Sequence, residues 1–70
     1  MTTIYMPLLN EGTDVWRPVD AARLADDTYR VVGEMPDYEE WAFAPGAVVR
    51  CAWKSFTDGE QGLEPISLAE

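Results

Sequence analysis

The chain carries thirteen acids and five bases in 70 residues, a net charge of −8, and the acids come in groups. Asp26-Asp27 form one. Glu34, Asp37, Glu39 and Glu40 form a second, inside the stretch Glu34–Gly46, which holds no base. Asp58, Glu60 and Glu64 form a third, and no base follows them. Carboxylates that face each other can raise one partner's pKa and share general acid and base roles. The adjacent pairs Asp26-Asp27 and Glu39-Glu40 sit in turn-like sequence, where neighbouring acids are solvated. A chain this short also encloses little: it buries only about 60% of the surface its unfolded form exposes.

The other parts of a catalytic centre are missing. There is no histidine, which removes the usual base near neutral pH and the commonest metal ligand. The single cysteine, Cys51, cannot supply a zinc spacing. It alternates with Val49 and Trp53, so the expectation is a buried, unreactive thiol. Ser55 and Ser67 have no base to activate them. Pro45-Gly46 and Asp58-Gly59 read as turns rather than phosphate-binding loops, and Asp58-Gly59-Glu60 lacks the oxygen spacing of a calcium loop. These residues predict a protein that is not an enzyme and needs no cofactor or metal.

What the acids can do is attract a positive surface. An acidic domain repels nucleic acid and anionic membranes, so neither is expected as a direct partner. If the acidic turns share one side of a rigid scaffold, their carboxylates can approach the ~7 Å phosphate spacing of a nucleic-acid strand and compete for a basic groove. The expected partner is then a basic protein surface, such as that of a nucleic-acid-binding effector complex. The candidate contact residues are Asp26, Asp27, Glu34, Asp37, Tyr38, Glu39, Glu40, Asp58 and Glu60. Tyr38, flanked by acids, is the best candidate for an exposed aromatic anchor, followed by Tyr5 and Trp16. The bases Arg17, Arg23, Arg30, Arg50 and Lys54 are interleaved with acids and are expected to pair with them.

The elements that must hold these residues read as strands. Thr2–Leu9 alternates Ile4, Met6 and Leu8 against Tyr5, Pro7 and Leu9. Asp14–Ala25 is a longer strand with a bend or bulge expected at Pro18. Asp26-Asp27 closes a hairpin onto Thr28–Gly33. Within the acidic loop, Asp37–Trp41 is expected to form at most one helical turn capped by Asp37, with Trp41 and Phe43 anchoring the loop. Pro45-Gly46 predicts a type II turn. Ala47–Phe56 is the clearest strand, with Val49, Cys51 and Trp53 facing inward. Leu63–Ser67 is a short last strand. The fold class is all-β: one domain over residues 1–70, a five-stranded, strongly bent antiparallel sheet closed into a small barrel.

The order of strands and loops resembles the Src-homology-3-like and Tudor-like barrels. The run Asn-Glu-Gly-Thr-Asp-Val-Trp-Arg-Pro-Val at residues 10–19, followed by Tyr29-Arg-Val and Trp41-Ala-Phe-Ala-Pro-Gly, is similar to a pattern found in short bacterial proteins of unassigned activity. A small, acidic, single-domain chain also resembles the inhibitors that phages deploy against host defences, including anti-CRISPR proteins. That resemblance implies a non-enzymatic inhibitor that occludes a nucleic-acid-binding surface. No segment approaches the ~20 apolar residues of a membrane span. The start, Met-Thr-Thr-Ile-Tyr, has no basic region of a signal peptide. With one cysteine and no disulfide possible within the chain, the expected location is the bacterial cytoplasm.

A second reading is a small adaptor or structural domain that binds a peptide or protein in a groove of the barrel, with the acids giving solubility. An exposed apolar groove near Tyr5 and Trp16, with acids scattered over the surface, would favour it.

Overall fold

A computed structural model describes residues 1–69. Five strands follow in order: β1 (Thr2–Pro7), β2 (Trp16–Arg23), β3 (Thr28–Val31), β4 (Val48–Ser55) and β5 (Gln61–Leu68). Each lies within about two residues of the segment expected from alternation. Successive strands pair antiparallel, and β1 meets β5 in parallel at Ile4 and Leu63, closing a small SH3-like barrel. Among the described residues there is no helix, and so no helix long and apolar enough to cross a membrane.

Alternation explains the core. Ile4 and Met6 of β1, Val19 and Ala21 of β2, Tyr29 and Val31 of β3, and Val49 and Cys51 of β4 point inward and are buried. Their neighbours along each strand point out, as a period of two requires. The long loop between β3 and β4 supplies the plug. Trp41 is buried and forms an isolated bridge with Leu8, while Phe43 packs against the core from the rim. Both anchors therefore do what the sequence suggested.

Turn chemistry also follows the sequence. Gly46 takes φ 89° and Ala47 N–H donates to the Ala44 carbonyl at 3.0 Å, the geometry a type II turn needs with glycine third. The acidic stretch makes no helical turn. Pro36–Glu39 forms a single reverse turn instead, with Glu39 N–H donating to the Pro36 carbonyl at 3.1 Å. The chain then leaves to carry Trp41 into the core.

Two expectations are corrected. The sheet is regular at Pro18, which pairs with Tyr5. β3 covers only Ala21–Arg23 of β2, so the proline lies where one side of the strand has no β3 partner, and no bulge is needed. The irregularity is on β5, where Ile66 is the extra residue opposite the step from Arg50 to Cys51 of β4. Trp53 is also not in the core: it has the inward parity but is 71% exposed. β3 pairs only with Val48–Arg50, so beyond Cys51 β4 keeps β5 on one side and has no strand on the other, while β5 stays joined to β1 at Leu63. Past the end of β3, the Trp53 side chain is left open to solvent.

Candidate functional site

The outer face of the barrel carries an aromatic groove. Tyr5 and Pro18 are ladder partners, as are Pro7 and Trp16, and all four have outward parity. On the other side of β1, the outward residues of β4 and β5 are Ala52 opposite Glu64 and Lys54 opposite Gly62. Gly62 has no side chain, and the ring of Tyr5 fills the space that leaves: a Cβ at position 62 would overlap the Cδ2 and Cε2 atoms of Tyr5. Phe56, just past the end of β4, comes over the top. Its ring centroid is 5.1 Å from that of Tyr5, tilted by 55°, and 5.4 Å from that of Trp16, edge-on at 78°. Such offset and edge contacts are the favoured arrangements for aromatic pairs.

Each ring has a support. Trp16 donates its indole N–H to a Glu64 carboxylate oxygen at 2.6 Å, a pairing across 48 positions of the chain that fixes which way the indole faces. Phe56 is held by the tight turn that follows it: its N–H donates to the Glu60 carbonyl at 2.8 Å, and Gly59 N–H donates to the Phe56 carbonyl at 2.9 Å. Gly59 takes φ 89° there, and Glu60 N–H donates to the Asp58 carboxylate at 3.1 Å. Three partly buried rings from three elements thus line a groove of about 510 Å³, within the ~300–1,000 Å³ of ordinary ligand sites. Asp14, Asp58 and Glu60 also line it. Lys54 lies inside, its ammonium 4.9 Å from the Trp16 ring centroid and 6.0 Å from that of Phe56.

The acids singled out in the sequence fall into separate groups. Asp26 pairs with Arg23 at 3.0 Å, and Asp27 with Arg50 at 3.2 Å, so the hairpin pair is matched by two arginines. Glu39 pairs with Arg17 at 2.6 Å and also accepts from the Trp41 indole N–H at 3.0 Å. Its side chain is 7% exposed. These bonds hold the Glu39 carboxyl below the ordinary glutamate range, through Arg17 first and Trp41 second, and the Arg17 guanidinium is correspondingly pushed up. Glu39 is thus a strut that ties β2 to the buried tryptophan.

Among the described residues, Glu34, Asp37, Glu40, Asp58 and Glu60 form no ion pair. Asp58 and Glu60 belong to the aromatic groove. Glu34 is exposed and lies beside Arg17 and Pro18. Asp37 and Glu40 meet the first turn of the chain, where Leu9 N–H donates to the Glu40 carbonyl at 2.7 Å. Glu11 joins them around a recess of about 170 Å³ with Tyr38, which is 79% exposed. Among the described residues, no group of acids or cysteine has the geometry to hold a metal ion.

Sequence reasoning named Tyr5 and Trp16 and counted Glu64 only among the third group of acids, but gave no role to Phe56 or Gly62. Phe56 carried one usable signal: an aromatic directly before Thr57-Asp58-Gly59 is placed by a turn rather than by strand parity. No family model matches the chain, and no match was found among curated proteins or solved structures.

Proposed function

We propose that this protein is a non-enzymatic protein-binding module whose aromatic groove takes an extended, basic segment of a partner protein. The observation behind this reading is the convergence of Tyr5, Trp16 and Phe56 on the outer face, lining an open groove with Asp14, Asp58 and Glu60. Rigid aromatic rings give large contact area at low entropic cost, and an extended backbone lies along such a groove without having to be unfolded first. The carboxylates favour a ligand that carries arginine or lysine. Trp16, fixed by Glu64, supplies the flat surface, and Tyr5 with Phe56 supplies the wall.

The test is an NMR titration of isotope-labelled protein with a set of proline-rich peptides of graded positive charge. Shifts confined to Tyr5, Trp16, Phe56 and the 57–61 turn, lost in Trp16→Ala, support the reading. Shifts confined to residues outside the groove sink it.

A second surface supports a different reading. Glu11, Asp37 and Glu40 gather around the exposed ring of Tyr38, with contributions from two loops. We propose as the alternative that this face docks on a basic surface of a nucleic-acid-binding effector and blocks it, as the resemblance to phage-encoded inhibitors suggests. Asp37→Lys with Glu40→Lys separates the two, because it reverses this face and leaves the groove untouched. Loss of effector inhibition in that variant, with groove binding intact, would assign the function to the Tyr38 face.

A further inference from the structure

Lys54 makes no ion pair among the described residues, although carboxylates line the groove around it. Its ammonium lies instead over the Trp16 ring at 4.9 Å and within 6.0 Å of Phe56, inside the ~6 Å over which a ring quadrupole attracts a cation. This is the position that a cationic side chain of an incoming ligand would take.

We infer that Lys54 is an internal occupant of the groove, which an arginine or lysine of the ligand must displace from Trp16. The inference rests on the groove reading above and narrows its ligand to a segment that brings its own cation. Across the ladder from Lys54 stands Gly62, which offers no side chain to hold the lysine stem. The stem can therefore swing away from Trp16 and Phe56 without breaking an ion pair among the described residues. A guanidinium replaces those contacts by stacking on the indole and can also reach Asp58 or Glu60 with its remaining donors. A neutral, purely apolar segment does neither. It must displace the ammonium without replacing its contacts or pack against a charged group. Lys54 thus acts as a threshold that excludes uncharged ligands.

Two measurements test this. In the ligand-free protein, ring current from Trp16 should shift the Lys54 ε-methylene protons upfield, and Trp16→Leu should return them to ordinary values. Unshifted protons in the unsubstituted protein overturn the inference. The second measurement titrates a proline-rich synthetic peptide carrying arginines, and the same peptide with glutamines in their place, into the unsubstituted protein, Lys54→Met and Arg30→Met. Methionine keeps an apolar stem and removes the cation. Arg30 is an exposed base outside the groove, so its variant reports the general effect of lost positive charge.

The expected result is that Lys54→Met tightens the arginine peptide by roughly two- to five-fold, beyond any gain in Arg30→Met. The glutamine peptide should then bind Lys54→Met measurably better than it binds the unsubstituted protein. An arginine peptide that binds the groove but gains nothing from Lys54→Met, or gains as much from Arg30→Met, overturns this inference and leaves the groove reading standing. If neither peptide moves the Tyr5, Trp16 and Phe56 resonances in any of the three proteins, the groove reading fails and this inference fails with it.

Discussion

The ring of Tyr5 lies on the bare backbone of Gly62, so close that no Cβ fits between them. One residue is on β1 and the other on β5, the two strands whose single parallel contact closes the barrel. The groove therefore depends on a glycine that contributes no atom to ligand contact. Gly62→Ala should push the Tyr5 ring out of place and disturb Phe56 as well, whose Cε2 atom lies 3.3 Å from the new methyl. The expected cost is about 1–3 kcal/mol of stability, the usual range for overpacking. Denaturant titration measures the cost, and the Tyr5 and Phe56 ring resonances report the displacement. Unchanged ring shifts would mean that this contact does not set the groove.

The two tryptophans of the β3–β4 loop and β4 should respond in opposite ways. Trp41 is 6% exposed, bridges to Leu8 and donates to Glu39. Trp41→Ala should cost about 3–5 kcal/mol, a large part of the ~5–15 kcal/mol that holds a domain together. Trp53 is 71% exposed, so Trp53→Thr should change stability by no more than about 0.5 kcal/mol. Paired thermal melts decide it, and a large loss in Trp53→Thr would contradict the exposed placement.

That contrast marks the limit of what alternation can tell. Val49, Cys51 and Trp53 share one parity, and the first two are indeed buried. Parity says which side of the sheet a residue takes; it does not say whether another wall faces it. β3 ends its pairing at Arg50, and nothing in the residues around Trp53 announces that. The strands themselves were legible because they alternate, and Gly12, Gly46 and Gly59 do take the positive φ that turns require. The partners across the barrel were not. Arg17–Glu39 and Trp16–Glu64 join residues 22 and 48 positions apart; docking of the long loop on the end of β1 brings the first pair together, and closure of the barrel the second. The sequence allowed the strand bases to pair with acids without saying which, so Glu39 looked like a docking residue when its carboxylate is already committed.

Cys51 should be inert until the barrel opens. It is 5% exposed, and burial, with a smaller contribution from Asp27, pushes its thiol pKa up to about 11. At pH 8 only about a thousandth of it is thiolate, and the thiolate is the reactive form. Labelling by a maleimide or disulfide reagent in native buffer should be slower than for an exposed thiol by several orders of magnitude. In denaturant it should be fast. Rapid native labelling would place Cys51 at the surface or show frequent opening of the β4–β5 ribbon.

Acid should loosen the loop that carries Trp41 before it touches the rest of the core. Arg17 and then Trp41 lower the pKa of Glu39 in the folded protein. A carboxylate whose folded pKa lies below its unfolded value contributes stability above the unfolded pKa, and that contribution fades as the pH falls through the folded value. The contribution is therefore complete at neutral pH and is lost as the pH falls below the ordinary glutamate value of ~4.3. Glu39→Gln removes the charge at every pH but keeps a side-chain oxygen that can accept from Trp41. The variant should melt lower than the unsubstituted protein at pH 7, and the gap should narrow as both are taken to pH 3. The Trp41 indole N–H resonance should move over the same pH interval in the unsubstituted protein and stay fixed in Glu39→Gln. A gap in melting temperature that is constant from pH 7 to pH 3 would mean that the Arg17–Glu39 pair contributes nothing through its charge.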